Sequence, residues 1–386
     1  MFRRAQTLPN DMIALLAFLL VTSLMYYVLF LHRVRRGLGA LNERGLHSAP
    51  EFVSIVVAAR NEEANILTCL QSLLNQQYPS DKYEIIVVDD GSTDRTVEEL
   101  SRFAREERAL PVIVVSLKDG ANVYGKPYAI ARGIEKARGE IILCTDADCI
   151  VPQKWMASMV RRFEPDVAFV AGPVIERPQG SFLSRLSSLE FLGIITTAAG
   201  LIGNGTPIFC NGANIGYRKS IFTKVEGFGT DSATCDDETL LQRISVRSAG
   251  RIDFNADSDA VVETKSAKSI ADFWSQRVRW ASKKGHYEDP TILWRLVVLN
   301  LFFVFLLTTA IASLFDARLW PVALAAFLTK ALVDYLTLKR GAVLMRQHVL
   351  LHQFAVAELL HVPYIVIAAS IAQFKSIRWK ERTLER

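Results

Sequence analysis

Ile85-Ile86-Val87-Val88-Asp89-Asp90-Gly91-Ser92 reads as a buried strand that ends in two carboxylates and a turn, and Ile141-Ile142-Leu143-Cys144-Thr145-Asp146-Ala147-Asp148 repeats the arrangement later in the chain. Short, continuous apolar runs bounded by turn-forming residues are the pattern of strands covered on both faces. Phe52 to Ala59 is another, ended by Arg60-Asn61-Glu62-Glu63, and Val112 to Ser116 is a further one. Helical stretches separate them. Ala64 to Gln77 is helical and stops at Tyr78-Pro79, Thr93 or Asp94 can cap a helix after Gly91, and Pro127 opens a helix that Gly139 ends. The alternation predicts an α/β domain, a mostly parallel Rossmann-like sheet, over about residues 50–290. Such sheets bind ligands beyond the carboxyl ends of their strands, which is where these acids sit.

The acids define the chemistry. Asp146 and Asp148, at i and i+2 past a strand tip, can converge on a divalent cation, and their hard oxygen donors suit Mg2+ or Mn2+ together with substrate phosphates. One Asp-x-Asp is a common acidic loop; a second acidic tip in the same sheet and the Asn61-Glu62 tip favour the functional reading. Lys126, next to Gly125 and before the helix leading to Asp146, can set a cation beside phosphate. Cys235-Asp236-Asp237-Glu238 opens a helical pattern through Leu240, Leu241 and Ile244. Glu238 there reads as an ordinary helix-dipole partner, whereas Asp237 joins the functional set. Gln276, Arg279 and Trp280 fall on one helical face at i, i+3 and i+4, so a guanidinium can meet a leaving diphosphate and an indole can stack on a sugar.

Outside this domain the chain turns apolar. It has 386 residues, 50% hydrophobic and 22% charged, with a net charge of +5. That balance excludes a disordered chain and gives no indication of nucleic-acid binding. Five cysteines without a framework spacing argue against a disulfide scaffold, and Cys144 and Cys149 read as packing residues. The six histidines show no ligand spacing. Met12 to Leu31 carries no formal charge over 20 residues, enough to cross a bilayer core, so residues 1–49 read as a transmembrane helix and a basic linker. Residues 291–386 read as a membrane region with helices at about 294–315, 319–338 and 349–374, the first two joined by Asp316-Ala317-Arg318. Lys330 and Asp334 lie one turn apart and can pair. Phe182 to Ile202 fits either a core helix or one lying at the membrane interface. Arg33, Arg35, Arg36 and Arg44 place the central domain on the cytoplasmic side. A full third crossing near the C-terminus would put the basic tail outside, against the same rule.

The ordered set Ala59-Arg60-Asn61-Glu62, Val88-Asp89-Asp90-Gly91-Ser92, Gly125-Lys126, Asp146-Ala147-Asp148, Asn211-Gly212-Ala213-Asn214, Asp236-Asp237 and Gln276-x-x-Arg279-Trp280 resembles the family 2 inverting glycosyltransferases of GT-A fold. In particular it resembles their membrane-embedded branch of cellulose, chitin and hyaluronan synthases. The resemblance implies that Asn61, Glu62, Asp89 and Asp90 recognise the nucleotide and that Asp146 and Asp148 hold Mg2+ or Mn2+ on the donor diphosphate. It implies that Asp237 is the general base, with Asp236 where the family carries glutamate. Gln276 and Arg279 would steady the UDP, Trp280 would border the acceptor, and the loop with Asn214 would lie on the acceptor side. The family's Pro-x-Tyr-Asn-Glu is Ala58-Ala59-Arg60-Asn61-Glu62 here, which departs at the base contacts.

The expected function is therefore transfer from a UDP-sugar to a polysaccharide or glycoconjugate at the cytoplasmic face of the inner membrane, by an integral membrane protein. Single transfer to a membrane lipid (isoprenoid, glycerolipid or polyprenyl phosphate) is the alternative, and a non-catalytic sugar-nucleotide-binding subunit is the alternative of another class. The membrane part is small for a polymer channel, which leaves a homo-oligomer or an export partner open.

Overall fold

The computed structural model describes residues 8–41, 51–106, 112–117, 125–229, 237–281, 287–371, 377–379 and 382–384. In chain order its elements are α1 (Asn10–Ala40), β1 (Val53–Ala59), α2 (Ile66–Leu74), β2 (Tyr83–Asp89), α3 (Thr96–Glu106), β3 (Val112–Ser116), α4 (Lys126–Lys136) and β4 (Ile141–Asp146). Then follow α5 (Trp155–Val160), β5 (Val167–Ala171), β6 (Val174–Arg177), α6 (Phe182–Gly203), β7 (Ile215–Arg218), α7 (Lys219–Lys224), α8 (Asp237–Val246), β8 (Arg251–Phe254) and β9 (Val262–Lys265). The chain ends with α9 (Ile270–Ala281), α10 (Pro290–Ala312), α11 (Trp320–Leu344), α12 (Phe354–Ile371) and a short hairpin of β10 (Ile377–Trp379) and β11 (Arg382–Leu384).

The central sheet has seven strands in the order β3-β2-β1-β4-β7-β5-β8. Strands β3, β2, β1 and β4 are parallel, and β7 runs antiparallel between β4 and β5. All seven residues of β2 are buried, as are all but one in β1 and in β4. This is the two-face coverage that their unbroken apolar runs predict. The register brings the acidic tips together. β1 lies between β2 and β4, with Ala59 opposite Asp89 and Ala58 opposite Asp146. A separate two-stranded sheet, β6 with β9, lines the far side of the site.

Five helical stretches among the described residues are long and apolar enough to cross a membrane: Asn10–Ala40, Phe182–Gly203, Pro290–Ala312, Ala317–Leu344 and His348–Ile371. Helices α1, α10 and α11 pack on one another. At one end of this group, Arg318 in the turn between α10 and α11 donates to the Leu8 carbonyl (2.8 Å) and to Asn10 Oδ1 (2.8 Å). At the other end, α6 crosses α1 and α11. Helix α6 is mostly buried and also packs on β6, so it joins the sheet domain to the long helices. It serves both expected roles at once, as a core helix and as the boundary of the apolar part.

Three boundaries differ from the sequence reading. The first helix runs on to Ala40, because Val34 and Leu38 of its last turns are buried against α6. The 294–315 helix begins at Pro290, where Asp289 Oδ1 accepts the Thr291 N–H at 2.8 Å. The 349–374 segment divides into a 3-10 turn at His348–Gln353 and α12, which carries Pro363 inside it.

Lys330 and Asp334 do pair (2.8 Å), but as part of a larger cluster. Lys330 Nζ also donates to Glu358 (2.6 Å) and lies 3.1 Å from His361 Nδ1, while Tyr27 Oη donates to Asp334 (2.6 Å). His361 thus joins a cluster that the histidine spacing did not reveal, because Lys330 reaches it from another helix, 31 residues away.

Candidate active site

A cleft of about 350 Å3 opens beyond the carboxyl end of β4. Asp146 and Asp148 come from the tip of β4, and Lys126 from the first turn of α4, with Lys126 Nζ 2.7 Å from Asp146 Oδ1. Asp237, the first residue of α8, lines the same cleft. Its carboxylate accepts two backbone N–H groups, Gly212 at Oδ2 (2.8 Å) and Glu238 at Oδ1 (2.9 Å). Gly212 packs where a side chain would crowd the site: a Cβ there would stand 3.0 Å from Lys126 Nζ and 3.3 Å from Asp237 Oδ2. Gln276, Arg279 and Trp280 of α9 line the remaining wall, so the i, i+3, i+4 face is directed as the spacing predicts.

The donor set fits a hard divalent ion. Asp146, Asp148 and Cys149 each offer one ligand atom within 4.8 Å of the others. The two carboxylates supply the hard oxygens that Mg2+ and Mn2+ prefer. Cys149 is buried, its thiol pushed well above its ordinary range by desolvation, then by Asp148 and Asp146, and its soft sulfur is not the donor that Mg2+ or Mn2+ prefers. Asp146 and Asp148 would hold the ion.

Not every expected residue reaches this cleft. Asn214 is fully buried: it accepts from Trp155 Nε1 (2.9 Å), and its amide donates to the carbonyls of Pro173 (2.8 Å) and Ala260 (2.7 Å). It holds β-segments together and corrects the reading of a substrate ligand. The tips of β1 and β2 form an adjoining lobe outside the cleft lining. There Asp89 accepts the Ser92 N–H, Asn61 Oδ1 accepts the Thr93 N–H (2.8 Å), and Glu62 accepts from Asn65 (2.6 Å). Asp90 Oδ2 accepts the Gly125 N–H at 3.2 Å, which ties this lobe to the start of α4 and Lys126. Asp236 lies outside the described residues. Glu238, read above as a dipole partner, stands on the cleft wall as well as in the first turn of α8.

The family model described as "Glycosyl transferase family 2" matches residues 54–225, and "Glycosyl transferase family group 2" matches residues 141–339, more than half of the chain. The chain belongs to the family 2 glycosyltransferases. This glycosyltransferase is 28% identical over 265 residues to the β-monoglucosyldiacylglycerol synthase of a Nostoc species, an alignment covering 67% of the chain and 54% of that protein. It is also 28% identical over 244 residues to the poly-β-1,6-N-acetyl-D-glucosamine synthase of Staphylococcus aureus, covering 61% and 55%. The chain thus spans about half the length of the curated relatives it matches. Among solved structures, it shares its fold with a mannosyltransferase from Pyrobaculum calidifontis in complex with GDP-mannose and Mn2+. There the TM-score is 0.57 at 21% identity, with 93% of this chain and 98% of that one covered.

Sequence reasoning missed Arg277, which lies inside the Gln276-to-Trp280 motif of this glycosyltransferase but points away from the cleft. Its guanidinium sits 4.5 Å from the ring centroids of both Phe273 and Trp280, and its Nε donates to Glu190 of α6 at 2.6 Å. This anchor holds α9 on α6. Glu190, the one acid inside the apolar run 182–202, was the available signal, since an acid drawn partly out of water needs a cation.

Proposed function

We propose that the chain is an inverting glycosyltransferase that moves a sugar from a UDP-sugar to an acceptor at the cytoplasmic face of a membrane, with residues 50–290 as its catalytic unit. The observation that carries this reading is that Asp237, held by two backbone N–H groups, lines one cleft together with Asp146, Asp148 and Lys126. A single displacement needs one carboxylate to deprotonate the acceptor and a separate group of charges to neutralise the leaving diphosphate.

In this reading Asp237 takes the proton of the acceptor hydroxyl as its oxygen bonds to the anomeric carbon. The bond from that carbon to the diphosphate oxygen breaks on the opposite face, so the configuration inverts. Lys126 and Arg279 hold the diphosphate as it takes on charge, Gln276 orients it, and Trp280 borders the sugar. Asp146 and Asp148 bind Mg2+ or Mn2+, which supplies further charge neutralisation at the diphosphate. Asp90, with Asn61, Glu62 and Asp89 shaping its lobe, contacts the nucleoside. The five long apolar helices support membrane insertion, and the names of the two relatives frame a lipid and a glycan as acceptors.

Asp237→Asn tests the assignment. Removing a general base lowers turnover by about 10²- to 10⁴-fold, while UDP binding, measured by calorimetry with Mn2+ present, should be unchanged. Wild-type turnover in the purified variant would overturn the base assignment.

A further inference from the structure

A second cavity, about 610 Å3, lies against the catalytic cleft. Its size is that of sites for molecules with tens of heavy atoms, about 300–1,000 Å3. Ile194 and Phe209 line both spaces, and the two share the walls formed by α6 and α9. Trp280 faces the cleft, while Phe273 and Trp274, about two turns earlier on α9, face the cavity. The cavity continues between α6, α11 and α12, the helices long and apolar enough for a bilayer. At its rim Ile270 and Leu360 are 64% and 53% exposed, so it opens onto an apolar exterior.

Most polar groups in its lining are already engaged with the protein; the exception is the buried Thr196 hydroxyl, which has no hydrogen-bond partner among the described residues. Glu190 accepts from Arg277 (2.6 Å) and Tyr364 (3.1 Å), and Tyr27, Asp334, Glu358 and His361 are tied together through Lys330 and one another. Thr197 and Thr337 donate to carbonyls of their own helices, both at 2.8 Å. A saccharide needs a partner for nearly every hydroxyl it brings out of water, and this lining offers few. A hydrocarbon chain needs none.

We propose that this cavity holds the hydrocarbon tail of a membrane lipid whose head group reaches the cleft, so that the acceptor is a lipid and not a free glycan. The inference rests on the transferase reading above and names its acceptor class. It reverses the order of the acceptors expected from the sequence, where a polysaccharide or glycoconjugate came before a membrane lipid.

The test has two independent arms. In the first, wild-type protein in phosphatidylglycerol vesicles is irradiated with a diazirine-tailed diacylglycerol or a diazirine-tailed polyprenyl phosphate, and labelled residues are mapped by mass spectrometry. Labelling of Leu186, Thr197 or Ala357 in the cavity, competed by the matching unlabelled lipid, is expected for one of the two and identifies the source. Labelling confined to outward-facing residues such as Leu15 and Phe18 would overturn the proposal. In the second, the same vesicles receive radiolabelled UDP- and GDP-sugars with Mn2+, and products are partitioned between solvent and water. Ala357→Trp and the milder Thr197→Leu fill the cavity and should cut lipid-extractable product by about tenfold or more with UDP binding retained. A water-soluble oligosaccharide extended at the same rate by wild type and both variants would overturn it. The arms separate the two readings: if Asp237→Asn keeps full transfer while cavity labelling persists, the base assignment fails and the lipid site stands.

Discussion

Between the cleft-lining Gln276 and Arg279, Arg277 faces two acids with different consequences. Its guanidinium contacts Glu190 directly but stays 3.9 Å from Glu176, whose Oε1 has no hydrogen-bond partner and whose Oε2 accepts from Ser187 at 2.8 Å. Burial therefore dominates at Glu176 and pushes its carboxyl up to about 7, against the lowering pull of Arg277. The folded protein then binds a proton that the unfolded chain releases above its ordinary carboxylate pKa. This stabilisation is complete below about pH 4.5 and is lost as pH rises through about 7. Glu176→Gln should flatten the fall in thermal stability across that window, measured by scanning fluorimetry at a series of pH values; an unchanged slope would assign it to other groups. Residues of this kind mark the limit of sequence reading. Asp146 and Asp148 could be placed at the cleft from sequence because acids after buried strands lie at the strand tips; Asp237 could be placed there only by the company of the other acids. Asn214 could not be placed, since the indole that claims it, Trp155, stands 59 residues away and a loop asparagine can face either way.

Among the elements, the crossing of α1 and α6 depends on glycine. A Cβ on Gly200 would collide with the Val34 carbonyl oxygen, and one on Gly37 with the Gly200 carbonyl oxygen. The two backbones approach as closely as small residues permit, a packing mode common between apolar helices. Gly200→Leu must push α1 away from the sheet domain, and overpacking of this kind costs about 1–3 kcal/mol or more. The expected result is a lower unfolding temperature in detergent with intact secondary structure by circular dichroism; wild-type stability would show that the crossing relaxes freely. The helices themselves were readable from apolar run length. Their contacts were not, because hydrophobic pattern gives a helix's existence and leaves open which helix it meets. The 182–202 segment illustrates this, since its double role follows only from having α1 on one side and β6 on the other.

At the scale of the whole molecule, the charge rule and the fold can be reconciled. α11 ends beside α6, where Arg340 donates to the Arg35 carbonyl at 2.6 Å, so α12 starts on the side of the sheet domain. After α12, β10 packs on α9, which lines the catalytic cleft. Both ends of α12 therefore lie towards the sheet domain, and the hairpin of β10 and β11, with Arg378 and Arg382, falls on the side that the positive-inside rule demands. A cysteine appended after Arg386 should react with membrane-impermeant maleimide in inside-out vesicles and not in intact cells. Labelling of intact cells would mean a full final crossing. The mostly parallel sheet, the acidic tips and three of the long helices were legible from patterning. The return of α12 was signalled only by the charge rule, because its apolar length alone satisfies a span.

The join between α9 and α10 has a mechanical consequence. The motif helix that carries Gln276, Arg279 and Trp280 is followed within ten residues by a bilayer-length helix, and α6 opposite it is clamped to another. A bilayer that is too thick or too thin tilts such helices to hide its mismatch. That tilt would be transmitted to the jaws of the cleft, making catalytic rate a function of acyl-chain length in the surrounding membrane, independently of what the enzyme binds.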